Sequence, residues 1–122
     1  MSPAELKVVI PCAFFLFIFL LGYWLNRKGK PYNTLVMTLH KLIALGAAVY
    51  LVVMLVKSGN VIPFTPLQIS AAVLTAVCFA GTAATGVLLS FDRTWPDLVH
   101  VLHQVTPYLT LVSTAALLYL LI

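Results

Sequence analysis

The chain alternates four long apolar stretches with short polar segments. The apolar stretches cover residues 8–25, about 34–56, about 66–89 and about 96–122. About 20 apolar residues are needed to cross a hydrocarbon core of roughly 30 Å, so each stretch is long enough for one transmembrane helix. The pattern predicts an all-α integral membrane protein of one domain. We expect a four-helix bundle in up-down-up-down order, with helices at about 3–25, 32–57, 66–90 and 95–121.

Charged side chains are scarce and lie mostly at the ends of these stretches. Only 8% of the 122 residues are charged and 62% are hydrophobic, whereas an average soluble domain is about a quarter charged. Such a chain cannot cover its surface with polar groups, which excludes a water-soluble monomer. The seven basic residues form no stripe, so the net charge of +4 reflects membrane topology and does not indicate nucleic-acid binding.

Local motifs mark the helix starts and one loop. Ser2 and Glu5 flank Pro3 in the order of a capping box, with proline at the first helical position. Residues 94–97 repeat this arrangement, which predicts a similar start for the fourth helix. The segment 58–65 contains glycine, asparagine and proline, and we expect an interfacial loop there.

Basic residues distinguish the two sides of the membrane. Five of the seven lie in or near the first and third loops: Arg27, Lys28, Lys30, Lys41 and Arg93. Lys7 and Lys57 lie on the other side. Because positively charged loops stay in the cytoplasm, we expect these two loops on the inner side of a bacterial inner membrane. Both termini and the loop between helices two and three are then outside.

Three histidines are the interior groups that suggest chemistry: His40, His100 and His103. At 1.5 Å per residue, their offsets from the helix starts place His40 and His103 within roughly one turn of the same depth. Ionisable side chains inside a membrane are costly and usually functional. Imidazoles from two helices at one depth are what a haem iron takes as axial ligands. We therefore predict a haem whose iron is held by His40 and His103.

The choice between the two histidines of helix four depends on a proline. Pro107 removes the amide that would bond the carbonyl of His103, which loosens the helix at that residue and favours His103 as the ligand. His100 remains the alternative ligand. If His103 is the ligand, His100 would bond a haem propionate, relay protons, or line a quinone site with Asp97 and Arg93.

Small residues and cations are expected around the haem. On helix three, Ala76, Ala80 and Ala84 recur every four residues and Gly81 lies near the histidine layer, which leaves room for a flat porphyrin. The alanine series is equally compatible with a helix-packing or dimerisation face. The anionic haem propionates would be bound by the cations of the inner side, namely Arg27, Lys30, Lys41 and Arg93.

The chain resembles the four-helix membrane cytochromes b, a group that includes quinol-oxidising cytochrome b subunits and ferric-reductase-like transmembrane proteins. The resemblance covers the four spans, the pair His40-Lys41, and the segment Thr85-Gly86-Val-Leu-Leu followed by a polar loop and His100-Val-Leu-His103. It implies a b-type haem and electron exchange with a quinone or a redox partner protein. Many members hold two haems at two depths, but no histidine lies in the outer half of these helices, so we expect one haem.

Other interpretations remain open. The protein is at most an oxidoreductase component, and the histidines of a non-redox membrane anchor or assembly subunit would simply be hydrogen-bonded in its core. The three histidines would also fit a zinc site. In another alternative, Met37, one turn before His40, takes the place of one imidazole as an axial ligand of the haem iron. A homodimer or a place in a larger membrane complex is compatible with each of these functions.

Overall fold

A computed structural model describes residues 1–91 and 94–122, and these residues form α-helices without strands. The four helices are α1 Pro3–Lys28, α2 Thr34–Val61, α3 Pro66–Ser90 and α4 Asp97–Leu121. All four are long and apolar enough to span a membrane. The predicted all-α class with four spans is therefore confirmed, and the chain is an integral membrane protein.

Reciprocal capping boxes start α1 and α3. The Glu5 amide donates to Ser2 Oγ and the Ser2 amide donates to Glu5 Oε2, each at 3.2 Å. At α3, the Gln68 amide donates to Thr65 Oγ1 at 3.2 Å and the Thr65 amide donates to Gln68 Oε1 at 2.9 Å. Each box satisfies two backbone amides that the helix itself leaves without acceptors. The predicted start of α1 is confirmed.

The start of α4 differs from the prediction. Pro96 is the N-terminal cap, and no side chain accepts a hydrogen bond there. Asp97 is already the first helical residue, so it lies in the first turn instead of capping it. An acidic residue in this position still stabilises the helix through the helix dipole.

Two helices end later than the sequence predicts. α1 continues to Lys28 and ends at Gly29, whose φ of 70° lies in the left-handed region that glycine adopts readily. α2 continues through Gly59 and Asn60 to Val61, so the loop predicted from residue 58 begins only at residue 62. A glycine inside a helix costs only about 1 kcal/mol, which the long apolar helix before it tolerates.

The helices pair consecutively into two hairpins. The first hairpin, α1 with α2, lies within Met1–Ile62, and the second, α3 with α4, lies within Pro63–Ile122. Buried residues of the first hairpin are mostly apolar and include Phe15, Leu51 and Met54. Its helices approach closely where Gly46 faces Phe14, since an ideal Cβ atom on Gly46 would lie 3.2 Å from the Phe14 ring.

Hydroxyl groups hold the second hairpin together. Thr82 Oγ1 and Thr110 Oγ1 are 3.2 Å apart across α3 and α4, and Gln68 Nε2 donates to the Leu120 carbonyl at 2.9 Å. Among residues 1–91 and 94–122, the buried polar residues all lie in this hairpin: Thr75, Thr110, Ser113 and Thr114. Without a hydrophobic driving force between helices in lipid, such small polar contacts contribute to helix association.

The two hairpins follow the same plan. The same number of residues separates Pro3 from Pro66, Thr34 from Asp97 and His40 from His103. The same interval relates each buried residue of α2 to a buried residue of α4, which pairs Ala47 with Thr110, Leu51 with Thr114 and Met54 with Leu117. The two hairpins therefore share the spacing of their helix starts, the position of one histidine and the buried face of their second helix.

Candidate functional site

Two histidines occupy equivalent positions in the repeat. His40 is the seventh residue of α2 and His103 is the seventh residue of α4. Each ends the same local motif, Leu-Val-x-x-Leu-His, at residues 35–40 and 98–103. Because each motif occupies the first two turns of its helix, each hairpin presents one imidazole at the same depth from the start of its second helix.

His40 lies against a glycine of the first helix in its hairpin. An ideal Cβ atom built on Gly22 would be 3.1 Å from Cε1 of His40, closer than most Cβ contacts in proteins. The imidazole is half-buried, and its Nδ1 atom is buried. The missing side chain at Gly22 therefore lets the ring lie directly on the backbone of α1.

His103 repeats this contact in the second hairpin. An ideal Cβ atom on Gly86 would be only 2.8 Å from Cε1 of His103, a distance that real Cβ atoms essentially never show. Even alanine at this position would require the ring or a helix to move. Each hairpin thus has one histidine that rests on a glycine of its first helix, and these two histidines are the candidate functional residues.

Hydrogen bonds from α3 also fix the ring of His103. Its Nδ1 atom lies 2.9 Å from Thr85 Oγ1 and 3.0 Å from the carbonyl oxygen of Thr82. The Thr85 hydroxyl is itself within donor distance of two carbonyls, those of Gly81 at 2.9 Å and Thr82 at 3.0 Å. The ring is therefore held at Nδ1.

The other residues predicted for helices three and four have different surroundings. An ideal Cβ atom on Gly81 would meet nothing within 4 Å, so the space beside this glycine is open. The glycine that contacts a histidine is Gly86, and a haem contact at Gly81 stays a prediction. His100 is half-buried one turn before His103, and Asp97 is exposed. α4 continues without a break through Pro107.

Cations of the first hairpin lie near aromatic rings at the end of α1. Arg27 Nη1 donates to the Tyr23 hydroxyl at 3.1 Å. The Lys30 ammonium lies 5.8 Å from the centre of the Tyr32 ring, a distance at which a cation is attracted to the ring face. Burial raises the pKa of Tyr32, so its phenol stays protonated at neutral pH. Exposed basic and aromatic residues are typical of a membrane interface.

Two further cations were predicted to bind propionates. Lys41 is exposed and directly follows His40 on α2. Arg93 lies outside the described residues, so the interactions predicted for it stay predictions. Three of the four predicted cations, Arg27, Lys30 and Lys41, thus belong to the first hairpin and are exposed.

The structure shows contacts that the spacing of the histidines does not predict. Thr85 and Gly86 contact His103, whereas in the sequence both belong only to the family motif. The interval that separates His40 from His103 pairs Gly22 with Thr85, so Gly86 lies one residue beyond the position equivalent to Gly22. The Leu-Val-x-x-Leu-His motif of the second helices therefore does not locate Gly86, and only the pairing of α3 with α4 does.

In the part of the chain that the structure describes, no group of three or more His, Cys, Asp or Glu side chains comes together. Comparison of the chain with protein-family models, with curated proteins and with solved structures finds no match.

Proposed function

We propose that the protein is a membrane electron-transfer protein that binds one b-type haem through His40 and His103. The observation that carries the proposal is their equivalent placement in the two repeats, each ring resting on a glycine. A six-coordinate haem iron takes two axial ligands, and neutral imidazole is a common choice. Two hairpins with one such histidine each would provide these two ligands.

The surroundings of His103 fit those of a histidine ligand. Histidines that bind metals almost always donate the second ring N–H to a carbonyl, carboxylate or water, which fixes the ring and increases its basicity. In this chain the carbonyl of Thr82 and the hydroxyl of Thr85 face Nδ1 at 3.0 and 2.9 Å. Haem, when bound, would supply a one-electron couple, while these residues orient the imidazole.

The remaining predicted residues would connect the haem to its surroundings. The cations Arg27, Lys30, Lys41 and Arg93 would bind propionates, and Gly81 would face the porphyrin. His100 is the alternative ligand or, with Asp97, part of a quinone site. Electrons would pass to or from a quinone or a redox partner protein, within a homodimer or a larger membrane complex. The membrane is the bacterial inner membrane, with the loops of residues 29–33 and 91–96 in the cytoplasm.

A second candidate function, a structural one without redox chemistry, is favoured by the contacts inside the second hairpin. The contacts of His103 with Thr82 and Thr85 join α3 to α4 without any ligand, and the contact between Thr82 and Thr110 does the same. A non-redox membrane anchor or assembly subunit would use the histidines in this way, as packing residues that hydrogen-bond inside each hairpin.

Haem content distinguishes the two functions. The full chain is purified in mild detergent from cells supplied with a haem precursor, and its haem is measured as the pyridine complex. We expect one haem per chain. The double variant His40→Ala/His103→Ala is the control for haem adsorbed on the apolar surface, and it should contain essentially none. A wild-type protein that neither contains haem nor takes up added haemin would contradict the redox function and leave the structural one.

A further inference from the structure

The hydrogen bonds at His103 determine which ring nitrogen carries the proton. A carbonyl oxygen only accepts hydrogen bonds, so the Thr82 carbonyl, 3.0 Å from Nδ1, requires an N–H at that atom. If Nδ1 instead carried a lone pair, two acceptors would face each other at this distance without a proton between them. The contact with Thr82 therefore favours protonation at Nδ1.

The Thr85 hydroxyl is consistent with the same assignment. Its single hydrogen is directed to a backbone carbonyl of its own helix, either that of Gly81 at 2.9 Å or that of Thr82 at 3.0 Å. Its oxygen is then an acceptor toward Nδ1, 2.9 Å away. Both neighbours of Nδ1 accept, and one N–H shared between them satisfies both.

Hydrogen bonding keeps the ring in this orientation. Turning the ring over would exchange Nδ1 with Cδ2 and place a carbon atom where Nδ1 meets Thr82 and Thr85. Both hydrogen bonds would then be lost inside a membrane-spanning hairpin, where no water replaces them. The contact with Gly86 holds the ring close to α3, and the hydrogen bonds select one ring orientation and one tautomer.

We propose that Thr85 is a positioning residue that, with the Thr82 carbonyl, holds His103 as the Nδ1–H tautomer and so presents Nε2 as its ligating atom. A neutral imidazole has one N–H, so protonation at Nδ1 leaves the lone pair on Nε2. The tautomer follows from the second hairpin alone. The assignment of haem iron as the ligand of Nε2 rests on the proposed function.

The tautomer is tested without any cofactor. The full chain, labelled with ¹⁵N-histidine, is examined by NMR before haem is added. His103 should show a protonated Nδ1 and an unprotonated Nε2, and Thr85→Val should shift the Nδ1 resonance. Thr106→Val is the matched control, because the Thr106 hydroxyl makes the same kind of bond to its own helix, with the Leu102 carbonyl at 2.8 Å. A His103 protonated at Nε2 in the wild-type chain would overturn the inference.

Haem binding provides the second readout. Removing a neighbour that orients a metal-bound histidine costs about 10–100-fold in metal affinity, and the Thr82 carbonyl remains in Thr85→Val. We therefore expect haem affinity to fall about tenfold and the midpoint potential to rise, because a weaker Nδ1–H bond makes Nε2 a poorer donor to ferric iron. Thr85→Ser should keep both wild-type values, as should Thr106→Val.

The outcomes separate this inference from the proposed function. A wild-type chain without haem, but with His103 protonated at Nδ1, would overturn the redox function and support the positioning role. A chain that binds haem with the same affinity and potential in Thr85→Val and wild type would overturn the positioning role and leave the redox function in place.

Discussion

Replacing either His40 or His103 with alanine is expected to abolish low-spin haem almost completely. A six-coordinate low-spin haem needs both axial imidazoles, and in the proposed function each hairpin provides one of them. Each single variant should retain at most a five-coordinate, high-spin haem or lose the cofactor. The absorption spectra of the oxidised and dithionite-reduced protein in detergent measure this, because sharp bands in the reduced spectrum mark the low-spin form.

Two controls separate loss of a ligand from loss of the fold. Free imidazole should restore low-spin haem in an alanine variant that still folds, since it binds the vacated position on the iron. His100→Ala, a substitution one turn away on α4, should leave the haem low-spin. If His100→Ala loses the low-spin bands and His103→Ala keeps them, His100 is the ligand of helix four and the assignment to His103 is wrong.

Gly86→Ala is expected to produce a large structural effect for the addition of a single methyl group. The added Cβ atom would lie 2.8 Å from Cε1 of His103, so the ring must leave its place or the two helices must separate. Overpacking of this kind typically costs about 1–3 kcal/mol. Displacing the ring also breaks its contacts with Thr82 and Thr85. We expect a lower unfolding temperature together with a large loss of bound haem.

The first hairpin offers a milder version of the same substitution for comparison. Gly22→Ala should act in the same direction but more weakly, because its Cβ atom would lie 3.1 Å from Cε1 of His40 and a shift of a few tenths of an ångström relieves the contact. Ala83→Val adds carbon atoms to an exposed position of α3 and serves as the control. Wild-type stability and haem content in Gly86→Ala would show that the contact between ring and backbone does not limit the site.

Hydrophobic pattern and capping motifs predict most of the fold, because they act locally. The four apolar stretches are long enough to span a membrane, and Ser2 with Glu5 form the expected capping box at α1. The sequence does not predict the extension of α2 to Val61, because glycine and asparagine are poor helix formers, and α2 nevertheless continues through both. At Pro96, a similar residue pattern produced no side-chain cap.

The candidate site was predicted only in part, because depth and rotation are separate properties of a helix. Counting residues gives the depth of His40 and His103 along the helix axis. It does not tell which face of a neighbouring helix meets each ring. The position of Gly81 along the helix axis predicts a haem contact there, whereas Gly86 is the glycine that contacts His103. The contacts of Thr82 and Thr85 with the ring depend on the rotation of α3 about its own axis. Only the pairing of α3 with α4 determines that rotation.

The two histidines share part of their surroundings. In each hairpin the imidazole and the buried face of the second helix lie at equivalent positions, and the ring rests on a glycine of the first helix, although Gly86 lies one residue beyond the position equivalent to Gly22. The surroundings differ in polarity, since buried hydroxyl groups belong to the second hairpin. We expect His103 to be the more rigidly oriented ligand, since hydrogen bonds from Thr82 and Thr85 fix its ring.

The axial ligation of the iron tests the central claim most directly. The low-temperature electron paramagnetic resonance spectrum of the oxidised, purified wild-type chain reports the spin state and the ligand field of a ferric haem. We predict a low-spin signal of a haem with two imidazole ligands, integrating to one spin per chain. A chain without haem iron, or one whose haem gives only a high-spin signal, would contradict ligation by His40 and His103.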